Sequence, residues 1–343
     1  MTFKQIPGNE SVVRALAGMV DAGRVPHAIL FHEDDGGGGI ALCLAFLQYL
    51  FCEDRHDGDA CGVCPTCNRI AKLIHPDVHF IYPVSGGSRI AASEKPTSLS
   101  YIKYWRELVL SNPGFTEADL NAALGIEGKS ALIAVGEAKE LLDSLSLSAL
   151  EGGYRAVVIY LPERMNQEAA NRLLKVIEEP PELTQFLLVT HAPERVLPTI
   201  ASRCQRLRIL PAGFAPAADS VVTEENARFA GLFGDLMDAL LRRSVSRSLE
   251  VAEQLAALPS RESAKAFCKF AGERLREVFL LQQGLPQLAA GADERTQSWA
   301  AQAKRTFPRT AMAALDRAHQ LIERNVNPKI LFTDLVDRMF LSL

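Results

Sequence analysis

Residues 155–210 contain a strand–helix–strand unit, and that unit limits what the rest of the chain can build. Val157 to Leu161 is an apolar run, short and β-branched enough for a strand buried on both faces. Ala169, Leu173, Leu174 and Ile177 then recur at three- and four-residue spacing, which predicts a helix. Pro180-Pro181 ends it, because proline has no amide to donate and keeps the preceding residue out of helical geometry. Phe186 to Thr190 is a second apolar strand, and Leu207 to Leu210 is a third candidate beyond the segment Pro198–Cys204. Strands joined through a helix run parallel, so the fold class is an α/β sheet with helices on its faces.

With 343 residues the chain suits two or three domains rather than one core. It has no long uncharged apolar run and no basic-then-apolar start, which argues against export and membrane insertion. The net charge of −4 is spread unevenly. Residues 1–210 carry 20 basic and 25 acidic side chains, residues 211–343 carry 17 and 16, so neither half has the basic excess of a protein that grips DNA alone. Four of the seven cysteines crowd within sixteen positions, which reads as a metal site in a reducing, cytoplasmic setting rather than a disulfide framework.

The order Arg164-Met165-Asn166, Leu173-Leu174-Lys175, Ile177-Glu178-Glu179-Pro180-Pro181, Phe186–Thr190 and then Ser202-Arg203-Cys204 resembles the core of bacterial clamp-loader subunits. These are AAA+ proteins that open the replicative sliding clamp. The resemblance implies an AAA+ module over residues 1–210, a short linker or reduced lid at 211–225, and a helical collar over 226–343. It also implies partners: the gamma/tau motor subunits and the delta subunit in a hetero-oligomeric ring, with the clamp and primed DNA met through that ring. Arg203, between Ser202 and Cys204, would be the arginine finger that reaches into a neighbour's ATP site. A planar, permanently charged fork suits the charge spread over a transferring phosphoryl group.

An AAA+ module places its phosphate loop between the first strand and a long helix. Here a helix over about 10–22 precedes a strand from Ala28 to His32, and a helix from Ile40 to Leu50 follows the run Glu33-Asp34-Asp35-Gly36-Gly37-Gly38-Gly39. A working loop ends in lysine and a hydroxyl residue, for the β/γ phosphates and Mg²⁺. This chain has Glu33 at the first glycine position, Gly39 at the lysine and Ile40 at the hydroxyl, and Asp34 and Asp35 add repulsion. The four glycines form either a flexible relic loop or an amide nest for a single anion. At the second acidic motif, after Val157-Val158-Ile159, stand Tyr160, Leu161 and Pro162. With both elements gone, no ATP of its own and no hydrolysis are expected.

Cys52-x8-Cys61-x2-Cys64-x2-Cys67 is a spacing at which four thiolates can close a tetrahedral zinc site, with unliganded or redox cysteines as the alternative. His56 and His75 are nearby and unnecessary as ligands once four sulfurs are available. Cys43, Cys204 and Cys268 fall outside the spacing and read as small buried residues. The cluster sits where clamp-loader subunits carry a zinc module.

A strand is predicted from Val78 to Tyr82, and residues 85–129 then depart from the family pattern as an insertion. Its helix-like stretch 101–110 offers Trp105, Leu108 and Val109 either to a partner or to the host domain. Beyond Pro211 helices are predicted at about 224–242, 248–258, 260–282, 295–306 and 310–343. Three functions fit: a non-hydrolysing clamp-loader subunit, a gamma/tau-type ATPase with a divergent phosphate loop, or an independent zinc-bearing nucleic-acid module. The missing lysine and acidic pair speak against the second, and the acidic first half against the third.

Overall fold

The computed structural model describes residues 1–91, 93, 95–147, 149–151, 153–210, 221–289, 292–324 and 326–343. The chain divides into two compact units, Met1–Val222 and Thr223–Leu343.

In the first unit α1 (Glu10–Asp21) leads to β1 (Ala28–His32), α2 (Gly39–Phe51) and α3 (Pro65–Ala71). There follow β2 (Val78–Ile81), α4 (Ile102–Ser111), α5 (Glu117–Leu124), α6 (Val135–Leu145) and β3 (Arg155–Tyr160). The unit closes with α7 (Gln167–Glu178), β4 (Thr184–Thr190), α8 (Pro198–Ala201) and β5 (Gln205–Arg208). The strands form one parallel sheet in the order β2-β3-β4-β1-β5, with Leu30 opposite Leu188 and Val158 opposite Leu187. Both β3 and β4 are buried along their whole length, as parallel strands under two helical layers must be. This is the expected α/β class, a parallel sheet with helices on its faces. One face of the sheet packs on α2, whose residues Gly39 to Leu50 are all buried. The other packs on α6 and α7 through Leu141, Leu173, Ile177 and Ile159.

Three expected boundaries are corrected. The last strand is Gln205–Arg208, not Leu207–Leu210. As an edge strand it is mostly polar, Gln205, Arg206 and Arg208 being exposed, and it pairs Ile29 with Gln205, so apolar content marked the wrong end. Leu210 instead leaves the sheet, its amide donating to Asn9 Oδ1 at 2.8 Å. In the second unit, the expected single helix over 310–343 is two.

That unit holds all but the first two residues of α9 (Val221–Leu241), then α10 (Val245–Ala256), α11 (Arg261–Gln282), α12 (Glu294–Gln302), α13 (Phe307–Glu323) and α14 (Pro328–Ser342). Pro328 cannot continue a helix but starts one well, and Asn327 caps the new start by accepting from the Lys329 amide at 3.0 Å. The helix expected at 295–306 ends at Gln302, and Phe307 begins the next one fully buried. Phe229, Phe233, Phe267, Trp299 and Phe332 form the centre of this unit's core. Of the stretch 211–225, residues 211–220 lie outside the described residues and from Val221 the chain is helical.

The insertion covers its host. Trp105 is fully buried and stacks on Tyr82 with centroids 4.2 Å apart and planes within 8°. Residues 117–124, with no predicted element, form α5 behind a capping box of Thr116 and Asp119.

Candidate functional site

The loop between β1 and α2 is closed on itself. Gly38 takes a left-handed conformation, φ 82°, at the turn into α2, whose first amide, that of Gly39, meets the buried Glu33. The Glu33 side chain is 2% exposed, and its Oε2 accepts from the Gly39 amide at 2.5 Å. A carboxylate therefore lies on the first amide and at the positive dipole end of α2, the place an oxyanion takes at such a helix start. The glycines make the approach feasible. A Cβ at Gly39 would stand 2.8 Å from Glu33 Oε2 and from Val189 Cγ1, and one at Gly37 would stand 2.7 Å from the same oxygen. Ile40, at the hydroxyl position, is buried in the core.

Behind Glu33 stands His191, just past β4. Its Nε2 is 3.5 Å from Glu33 Oε1 and its Nδ1 is 3.6 Å from Asp35 Oδ1. The Tyr160 hydroxyl is 3.4 Å from His191 Nε2, and Glu163 accepts from Thr190 Oγ1 at 2.8 Å and from the His191 amide at 3.0 Å. Burial raises the Glu33 pKa, while the contact with His191 pulls it back. Burial works against charge on His191, yet Glu33 and Asp35 outweigh it and raise the His191 pKa.

The insertion forms the roof. The Glu117 amide donates to Asp35 Oδ1 at 2.9 Å, and Glu117 pairs with Arg164 at 2.6 Å. Phe115 packs on Tyr160 with centroids 5.3 Å apart, and Trp105 packs on it at 6.0 Å. Tyr160 thus fills the end of β3 with a buried ring, and Leu161 turns the chain there at φ 56°. Sequence reasoning placed Glu33, Tyr160 and Leu161 at this locus. It missed His191, Glu163, Phe115 and Glu117, which reach it from three other segments.

The four cysteines do converge. Sγ atoms of Cys52, Cys61, Cys64 and Cys67 all lie within 4.8 Å of one another. Tetrahedral ligands at about 2.3 Å from an ion stand about 3.8 Å apart, so the set fits a bound metal. Local geometry builds the site. Cys64 caps α3, with Pro65 at its first position, and accepts from the Cys67 amide at 3.4 Å. The Cys61 amide donates to Cys52 Sγ at 3.4 Å. Backbone amides of Val63 and Cys64 lower the Cys61 thiol to about 7, towards the thiolate a metal takes. Asp59 ties the loop to the start of the chain, accepting from the amides of Phe3 and Lys4 at 2.9 Å. Neither histidine joins: His75 faces Glu151 at 3.3 Å and His56 faces the Asp54 carbonyl at 3.2 Å.

Arg203 lies on the turn after α8. Its guanidinium donates to the Thr199 carbonyl at 2.9 Å and pairs with Glu178, of the Ile177–Pro181 segment, at 2.6 Å. The pair is 32% and 49% exposed, so this arginine lies at the surface of the unit. Ser202 donates to the Thr199 carbonyl at 3.2 Å and Cys204 to the Ile200 carbonyl at 3.3 Å, which braces the turn.

Together the site consists of a parallel α/β module whose β1–α2 loop is closed on its own carboxylate, a four-thiol cluster and a separate helical unit. The chain belongs to the family described as DNA polymerase III, delta subunit, whose model matches residues 8–212. It is 33% identical to DNA polymerase III subunit delta' of Yersinia pestis over 193 residues, 56% of this chain and 44% of that protein. With subunit delta' of Escherichia coli K12 it shares 28% over 229 residues, 67% of this chain and 54% of that one. With subunit gamma/tau of Mycobacterium bovis it shares 27% over 212 residues, 61% of this chain and 29% of that one. The chain spans about half the length of the delta' relatives it matches.

Proposed function

We propose that the chain is the non-hydrolysing subunit of a bacterial clamp loader, working in the cytoplasm beside gamma/tau motor subunits and a delta subunit. Through that assembly it acts on the sliding clamp and primed DNA. The observation that carries this reading is the Glu33 carboxylate 2.5 Å from the Gly39 amide, where a nucleotide would need to put a phosphate. A chain in this state serves hydrolysis only through what it offers a neighbour, and Arg203 is the group on offer. Its surface pairing with Glu178 is worth about 0–1 kcal/mol, so a neighbour's polyphosphate outcompetes it. Zinc on Cys52, Cys61, Cys64 and Cys67 braces the loop between α2 and α3, and residues 226–343 serve as the collar that holds the ring.

The test is a loader reconstituted with Arg203→Ala. Assembly and metal content should be unchanged, while clamp- and DNA-stimulated ATP hydrolysis falls at least tenfold, with arginine fingers contributing about 10³–10⁵ where they act fully. Arg203→Lys should not restore it, since a point charge does not reproduce the fork. Unchanged turnover in an assembled ring would remove the finger. Titration of the isolated chain with Mg-ATP should be flat to the millimolar range, and micromolar binding would favour the gamma/tau-type ATPase instead. Metal analysis should find about one zinc per chain, lost together with thermal stability in Cys61→Ser; a metal content near zero would dismiss the site.

A further inference from the structure

We propose that Glu33 is the resident anion of the phosphate cradle: the chain supplies internally the negative charge that a nucleotide would bring, and the insertion seals it in. Four observations point to this. The carboxylate accepts from the first amide of α2, a thirteen-residue helix buried along almost its whole length, so the cradle is a structural joint of the core. The side chain is 98% buried, a costly position for a carboxylate without partners, and the Gly39 amide and His191 supply them. Gly37 and Gly39 leave the space the carboxylate occupies, each standing where a Cβ would come within 3 Å of Glu33 Oε2. Finally, the roof is built from the insertion: a Cβ at Gly36 would lie 3.2 Å from Thr116 Cγ2, and the Glu117 amide holds Asp35.

The site therefore has the chemistry of a small oxyanion pocket with its ligand covalently tethered. The start of α2 is satisfied by the chain itself, which keeps the β1–α2 joint in one conformation irrespective of nucleotide. The inference rests on the proposed lack of nucleotide binding, and the experiment keeps the two apart.

The full-length chain is compared with Glu33→Ala and Glu33→Gln by thermal unfolding, in sodium formate and in sodium chloride at equal ionic strength. Formate is the probe, as the smallest carboxylate that can refill the vacated place. Wild type should respond equally to both salts. Glu33→Ala should unfold several degrees lower and recover part of that loss in formate alone, following the mass-action dependence on free ligand. Glu33→Gln keeps the shape and one acceptor, so it should lose less and gain nothing from formate. A Glu33→Ala chain as stable as wild type, or one that responds equally to both salts, overturns the proposal. If that variant does not fold, hydrogen exchange at Gly39 and Ile40 in Glu33→Gln decides. Acceleration of about tenfold, equivalent to losing a charge-assisted bond, supports the internal anion, and unchanged exchange overturns it. Mg-ATP is run on wild type in parallel. Micromolar binding there overturns the functional reading, whereas absent formate rescue with no ATP binding overturns only the internal anion.

Discussion

Two loops flanking one sheet have gone opposite ways. The loop after β1 has turned its charge inward, with Glu33 2% exposed and held by a backbone amide and His191. The turn after α8 has kept its charge outward, with Arg203 32% exposed, bonded to the Thr199 carbonyl and ion-paired with a half-exposed Glu178. An inward charge must be matched by its own chain, and once matched it becomes part of the core's stability. An outward charge has a weak partner that a stronger one displaces. Stability should therefore respond to substitutions around Glu33 and ignore Arg203, while assembly-dependent chemistry should do the reverse.

The largest effect should come from the roof. Phe115 is 4% exposed and wedged between Trp105 and Tyr160, with centroid distances of 5.5 and 5.3 Å. Phe115→Ala should cost about 3–5 kcal/mol, or about 10 °C in the melting temperature of the first unit. Arg203→Ala in the same assay should lie within about 0.5 kcal/mol of wild type. If both moved stability alike, the inward–outward contrast would fail. A second, smaller loss should follow from Gly39→Ala, whose new methyl meets Glu33 Oε2 and Val189 Cγ1 at 2.8 Å. Overpacking of that kind costs about 1–3 kcal/mol. The control is Gly136→Ala in α6, where a Cβ meets nothing within 4 Å and should stabilise by about 0.5–1 kcal/mol. Equal outcomes at the two glycines would mean that the loop relaxes around Glu33 and that the cradle is loose.

Much of the first unit was legible in the sequence because parallel strands announce themselves as apolar runs. β1 matches the expected Ala28–His32 at both ends, and β3 and β4 lie within two residues of expectation. The thiols were legible too, since their spacing alone constrains where they can meet. What could not be read was anything that depends on two distant segments meeting. His191, Phe115 and Glu117 reach the loop from other parts of the chain, and no local pattern ties them to Glu33. The amide nest was among the readings of the glycine run, but its ligand was sought outside the chain. The signal present was an acid six residues before a buried helix start. Asn327-Pro328 was likewise a readable helix start within a long apolar pattern.

The smallest predicted effect tests how the inward charge is matched. His191 meets Glu33, Asp35, Glu163 and the Tyr160 hydroxyl, and Glu33 and Asp35 raise its pKa despite burial. A histidine with a raised folded-state pKa contributes stability that is complete below its unfolded value of about 6.5 and is lost as pH rises through the folded value. Glu33, also raised, has the same sign: its folded form holds its proton more firmly than the unfolded chain does, so its share too declines with rising pH. His75 and His79 have the opposite sign, since burial lowers both, so they favour the folded state as pH rises through 6.5. The useful quantity is therefore the difference between wild type and His191→Gln across pH 5.5–9, which cancels the other two. Wild type should lose part of its advantage over the variant as pH rises, by less than the Gly39→Ala loss. A difference that stays flat would mean that the Glu33–His191 contact carries no proton-linked charge. The Gly39 amide alone would then hold the carboxylate, and the inward loop would be matched by its helix start rather than by a side chain.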